Sequence, residues 1–88
     1  MECSPYKVIV QVYAAFDTEG HITPTSFIWE DGRRFEIDRI LDVRRAASLK
    51  AGGLGIRYTC RVRGKQTYLY HDDCEGHWFM ERKTPGAR

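Results

Sequence analysis

Between residues 6 and 16 the even positions read Tyr6, Val8, Val10, Val12, Ala14 and Phe16, and the odd ones Lys7, Ile9, Gln11, Tyr13 and Ala15. Alternation rich in β-branched residues predicts a half-buried strand. Gly20 and Pro24 punctuate the loop "DTEGHITP". A short second strand, "TSFIWE", meets "DGRRFEI" through Asp31 and Gly32, a strong hairpin signal. A two-residue turn at that point sets Phe27 opposite Glu36, Ile28 opposite Phe35, and Trp29 opposite Arg34. Residues 56–63 alternate again, Gly64 and Lys65 form a tight turn, residues 66–72 return, "DCEG" turns once more, and residues 77–83 close the pattern.

The stretch "DRILDVRRAASLKAGG" fits two elements. As a helix over about 39–50 it has Asp38 to cap it, Arg44, Arg45 and Lys50 toward its C-terminal end, and Gly52 to close it. As a strand it prolongs "RRFEI" through Ile40 and Val43 to about Arg44, with a bulge near Arg39 restoring the phase. The strand is preferred, and "AGGLG" then serves as a flexible connector. That glycine run lacks the Lys-Ser/Thr of a phosphate-binding loop and does not lie between a strand and a helix. Six strands joined mostly by hairpins make a meander. A flat sheet of that size leaves an apolar face and two edges uncovered. The chain is therefore expected to be all-β, curling into a small SH3-like barrel or a two-layer sandwich. The alternative is an α+β fold with a helix at about 39–50.

Composition narrows this without changing it. Eighty-eight residues make one domain, 1–88, with 84–88 a frayed tail. Five tyrosines, four phenylalanines and two tryptophans must supply much of the buried area. The net charge of +2 is too weak to indicate nucleic acid, but ten of the fourteen basic residues are arginine, which suits planar and bidentate contacts. Cys3, Cys60 and Cys74 are odd in number and form no disulfide framework, so a reducing, cytoplasmic compartment is expected. The N-terminal apolar run is broken by Gln11 and has period two, which reads as a strand rather than a leader or a membrane span.

Candidate chemistry comes from the 55–83 region. A turn at Gly64 and Lys65 pairs Arg63 with Gln66, Arg61 with Tyr68, Thr59 with Tyr70, and Arg57 with Asp72 on one face. Val62, Cys60 and Tyr58 then meet Thr67, Leu69 and His71 on the other. A four-residue "DCEG" loop sets Phe79 beside Tyr70 and Glu81 beside Tyr68, with Trp78 and Met80 on the core side. Phe27 and Trp29 are assigned to the core. The candidate binding face is Arg57, Arg61, Arg63, Tyr68 and Tyr70. Guanidinium groups take phosphates and flat rings take bases, which is the chemistry of single-stranded nucleic-acid recognition. The same residues also serve as plain cross-strand Arg–Tyr pairs, with the loop after Ala46 covering the rings. Tyrosine and arginine equally anchor protein interfaces. The reading is therefore a binding module, with nucleic acid as first partner and a protein or a second copy as the alternative.

His71, Cys74 and His77 are zinc-type ligands in one hairpin end. Their spacing matches no standard zinc pattern, and the pairing puts the two histidines on opposite faces. They are read as a polar loop with Gly76 at its turn. No metal or cofactor is expected, and no nucleophile is paired with a base as catalysis requires.

With Pro24, Phe27, Trp29, Gly32, Arg33, Tyr58, Tyr68, Leu69, Tyr70 and Trp78 in place, the chain resembles a group of small bacterial domains of unknown function. There a Pro-x-x-Phe-x-Trp stretch leads into a Gly-Arg turn and an extended arm, then a Tyr/Arg strand, a Tyr-Leu-Tyr strand and a closing Trp-Phe strand. The resemblance implies a bacterial, cytosolic, all-β protein and no activity. The long "RRAASLKAGGLG" segment and Cys74 depart from that pattern.

Overall fold

A computed structural model describes residues 5–49 and 51–83. The expected frayed tail at 84–88 lies outside them, as does Cys3. Seven antiparallel strands are present: β1 (Lys7–Phe16), β2 (Ile22–Ile28), β3 (Arg34–Glu36), β4 (Arg39–Ser48), β5 (Gly53–Val62), β6 (Lys65–His71) and β7 (Trp78–Glu81). They form one sheet in the order β3-β2-β1-β7-β6-β5-β4, curled into a half-barrel. The fold is all-β and barrel-like, as the patterning predicts.

Three features differ from the sequence expectation. First, the helical alternative over 39–50 does not form, and the strand runs further than about Arg44. Residues 39–48 pair with β5 from Arg39↔Arg61 to Ser48↔Gly53. Ile40 and Val43 meet Cys60 and Tyr58 in this ladder. A helix of about twelve residues is marginal unless one face is buried, whereas the strand satisfies its backbone groups on β5. The bulge falls at Leu41, between Ile40 and Asp42, rather than near Arg39. "AGGLG" is not a connector but the tip of this hairpin and the start of β5.

Second, the arm expected to be a single strand is broken at Ile37 and Asp38, which makes seven strands instead of six. Ile37 N–H donates to the Thr25 carbonyl (2.9 Å), while Asp38 N–H donates to the Arg61 carbonyl (2.8 Å). Consecutive residues thus bond to strands near opposite edges of the sheet. This is the corner that curls the sheet on itself.

Third, two turns differ by position. The β2–β3 loop has three residues, Glu30, Asp31 and Gly32, with Gly32 N–H donating to the Trp29 carbonyl and Gly32 at φ 90°. The extra residue moves Phe27 from opposite Glu36 to opposite Phe35, and their rings stack at 5.5 Å. The β5–β6 turn is Arg63 and Gly64, at φ 53° and 78°, not Gly64 and Lys65. Two left-handed residues make the type I′ turn whose twist matches the flanking strands. Val62 now pairs with Lys65, Thr59 with Tyr68 and Arg57 with Tyr70. The slip is two residues, so the side chains within β5 and β6 keep their expected faces, while Arg63 leaves the outer face for the turn. The β6–β7 pairs Tyr70↔Phe79 and His71↔Trp78 are those expected.

Arginine tolerates the left-handed region poorly. Arg63→Asn relieves this strain and loses the Arg63–Phe35 stack, so relative to Arg63→Ala, which loses the stack and keeps the strain, it is expected to be more stable by about 0.5–1 kcal/mol. A urea midpoint no higher than that of Arg63→Ala would contradict this account of the turn.

The core lies on the concave face: Val8, Val10, Phe27, Tyr58, Cys60, Val62, Leu69 and Met80, with Trp29 and Trp78 packed against it. Burial pushes the Cys60 thiol up to about 11, so it remains protonated at neutral pH. No helix among the described residues is long and apolar enough to cross a membrane.

Candidate functional site

The outer face of β4, β5 and β6 carries three cross-strand rows. Arg39, Arg61 and Gln66 form the first, Asp42, Thr59 and Tyr68 the second, and Arg44, Arg57 and Tyr70 the third. Phe79 of β7 extends the third row beside Tyr70. Along this face the Arg57 guanidinium lies over Tyr68 at 4.5 Å. Tyr68 meets Tyr70 edge-on at 6.5 Å, and Tyr70 stacks on Phe79 at 4.9 Å with 5° between planes. Lys7 Nζ caps Phe79 at 4.5 Å.

Part of this ladder is covered. The β4–β5 hairpin tip folds across it, and Ala51 joins Tyr70 and Phe79 in a second small core. Ser48 Oγ donates to Glu81 (2.5 Å) and accepts the Ala51 N–H (3.0 Å), fastening the tip to β7. Tyr70 is 2% exposed and cannot stack on a ligand. Burial, then the Glu81 charge, pushes its phenol up, while Ser48 and Arg57 pull it back.

Of the five residues singled out from the sequence, Arg57, Arg61, Tyr68 and Tyr70 do share one face, but only the first three reach its surface. Arg63 sits in the turn, and its guanidinium lies over the Phe35 ring at 4.9 Å. Arg39 and Arg44 were missed. Their signal was the arginine spacing along β4, which aligns with Arg61 and Arg57 only once the bulge at Leu41 is counted.

Charges are sorted across the molecule. Arg33, Arg34, Arg44, Arg45 and Arg82 each hold a carboxylate, from Asp31, Glu36, Asp42, Asp73 and Glu30 respectively. Among the described residues Arg39, Arg57, Arg61, Arg63 and Lys65 form no ion pair. Arg39 stands directly opposite Arg61, and Arg44 directly opposite Arg57. Like charges in that position destabilise a sheet. Arg57 Nε is also buried without a hydrogen-bond partner.

His71, Cys74 and His77 do not converge on one point, although Asp72 gathers with Glu75 and His77, and with Asp73 and Cys74, in the turn. His71 stacks on Trp78 at 4.4 Å on the core side, His77 lies 6.2 Å from Phe79, and Cys74 is exposed in the turn. Asp72 accepts the N–H groups of Cys74 and Glu75 at 3.0 and 3.1 Å, bonds that hold its carboxyl below the usual range. Asp17 caps its own loop through the N–H groups of Glu19 and His21 (both 2.9 Å). Both carboxylates are thus engaged as turn formers.

On the opposite side of the β5–β6 turn, the half-barrel opens into a cleft of about 410 Å³ walled by Phe27, Trp29, Phe35, Val62, Thr67 and Met80. Arg33 and Lys65 stand at its rim, with Glu30 and Arg82 paired beside them.

No protein-family model, curated protein or solved structure matches this chain.

Proposed function

We propose that this chain is a bacterial, cytoplasmic binding module that contacts single-stranded nucleic acid through the outer face of β4, β5 and β6 and performs no chemistry itself. The observation that carries the reading is that arginine stands opposite arginine in two rows, Arg39 with Arg61 and Arg44 with Arg57, and that of these four only Arg44 holds a carboxylate, Asp42. A sheet accepts that repulsion where an anion resolves it. Four guanidinium groups lie on this face against one carboxylate, Asp42, although the whole chain carries only +2. Arg39 and Arg61, which hold no carboxylate, would take phosphates, with Arg44 beside Asp42 adding to the positive field. The half-buried Tyr68, with the Arg57 plane over it, offers a flat surface for a base.

The test is an anisotropy titration with a mixed-sequence single-stranded oligonucleotide at several salt concentrations. Engagement of the four arginines of this face gives a log–log slope near −2.8 and roughly fiftyfold weaker binding at 200 than at 50 mM salt. Replacing Arg57 and Arg61 together by glutamine should flatten the slope by about 1.4, and Tyr68→Ala should cost about 1–3 kcal/mol of binding. Absence of binding at 50 mM salt, or affinity indifferent to salt, sinks the proposal.

A protein partner or a second copy is the alternative reading. It is supported by the free edge of β4, next to which Val43 and Leu54 are 51% and 56% exposed. A dimer by sedimentation, insensitive to salt, would favour it.

A further inference from the structure

The concave cleft is separate from the arginine face but shares the β5–β6 turn with it. Its walls are unusually aromatic for an opening at the surface. Phe27 and Phe35 stack at 5.5 Å, and Trp29 and Met80 line the same space. A cleft of about 410 Å³, apolar on one wall and lined by charged side chains on the other, is of the size that takes a small ligand.

Its electrostatics select the ligand's charge. Glu30 is spent on Arg82, through bonds of 2.9 and 2.5 Å, while Glu81 accepts a hydrogen bond from Ser48 and keeps its charge. Arg33 is matched by Asp31. Lys65 at the rim and Arg63 over the Phe35 ring have no carboxylate of their own, although Asp38 accepts the Arg63 backbone N–H at 3.0 Å. Rings inside and unmatched cations at the mouth call for a flat group attached to an anion.

We infer that the cleft of Phe27, Trp29, Phe35 and Met80 holds one nucleotide, its base against the rings and its phosphate at Lys65 and Arg63. This rests on the nucleic-acid reading above and extends it. Arg61 and Tyr68 flank the turn on the outer face, and Arg63 and Lys65 lie at the turn itself, so a single strand running along the arginines can pass over the turn and place a base in the cleft. An acidic peptide with an aromatic side chain satisfies the same charges. Continuity with the arginine face favours the nucleotide.

The experiment is an NMR titration of the full chain with each of the four ribonucleoside monophosphates, with adenosine, with inorganic phosphate and with an acidic phenylalanine-containing peptide. The nucleotides are expected to shift the Trp29 indole N–H and the Met80 methyl, with adenosine binding about tenfold more weakly for want of its charge-assisted contacts. Trp29→Ala should remove the Met80 methyl shift. Lys65→Gln, at an exposed position, should weaken the nucleotides toward adenosine while leaving adenosine unchanged. No shift of Trp29 and Met80 by any nucleotide at millimolar concentration overturns the inference, as does a response to the peptide or to phosphate alone. The Arg57 and Arg61 double glutamine variant separates the two proposals. It should lose oligonucleotide affinity and keep the mononucleotide shifts. In the wild-type chain, oligonucleotide binding that fails while mononucleotide shifts persist removes the outer face and leaves the cleft; the reverse removes the cleft alone.

Discussion

Gly55→Ala is expected to remove about half or more of the folding stability of this chain. A Cβ at Gly55 would run into the His71 carbonyl oxygen, with the His71 carbonyl carbon at 2.9 Å and Asp72 Cα at 3.1 Å. These are backbone atoms, so no rotamer change relieves the contact. The neighbouring pair Ile56↔His71 would have to separate, and with it the end of the β5–β6 ladder. Overpacking of this kind costs roughly 3 kcal/mol, a large part of the ~5 kcal/mol typical of a domain this small. Gly53→Ala is the comparison. Its Cβ meets the Phe79 ring, a side chain that can tilt, so its cost should be smaller. Urea denaturation of both variants decides the point, and a Gly55→Ala midpoint within error of the wild type would mean that β5 does not approach His71 this closely.

Phe79→Ala should cost about 3–5 kcal/mol. The ring is fully buried, stacked on Tyr70, capped by Lys7, and covered by Ala51 and Gly53 of the hairpin tip. Its removal takes away the surface on which that tip rests. Tyr70 then loosens, and Tyr68 and Arg57 lose the neighbour that positions them. Oligonucleotide affinity should therefore fall along with stability. Phe79→Leu retains most of the volume and is expected to cost under about 1.5 kcal/mol with binding largely intact. A loss below about 1 kcal/mol for the alanine variant would show that the second core contributes little.

Much of this arrangement can be read from residue order. The alternation of Val8, Val10 and Val12, and of Tyr58, Cys60 and Val62, assigns strands and their buried sides, because a strand has a period of two and only one of its faces can be dry. That logic survives a two-residue slip, which is why Arg57, Arg61 and Tyr68 project together although the turn is Arg63 and Gly64. It does not survive a one-residue slip, and the three-residue loop at Asp31 and Gly32 moved Phe27 from Glu36 to Phe35. Residues 39–48 could not be settled locally, since their apolar spacing suits a helix almost as well as a bulged strand.

Residue order by itself determined an all-β chain, the sidedness of its central strands and the arginine-rich character of one face. Only the tertiary structure decided that β4 joins β5 and brings Arg39 and Arg44 to that face, that the chain changes edges at Asp38, and that the glycine-rich tip folds over Tyr70 and buries it. The reason is the range of the forces involved. Periodicity and turn preference act within a few residues. The pairing of distant edges and the covering of a ring depend on how far the sheet coils, which is set by all seven strands together.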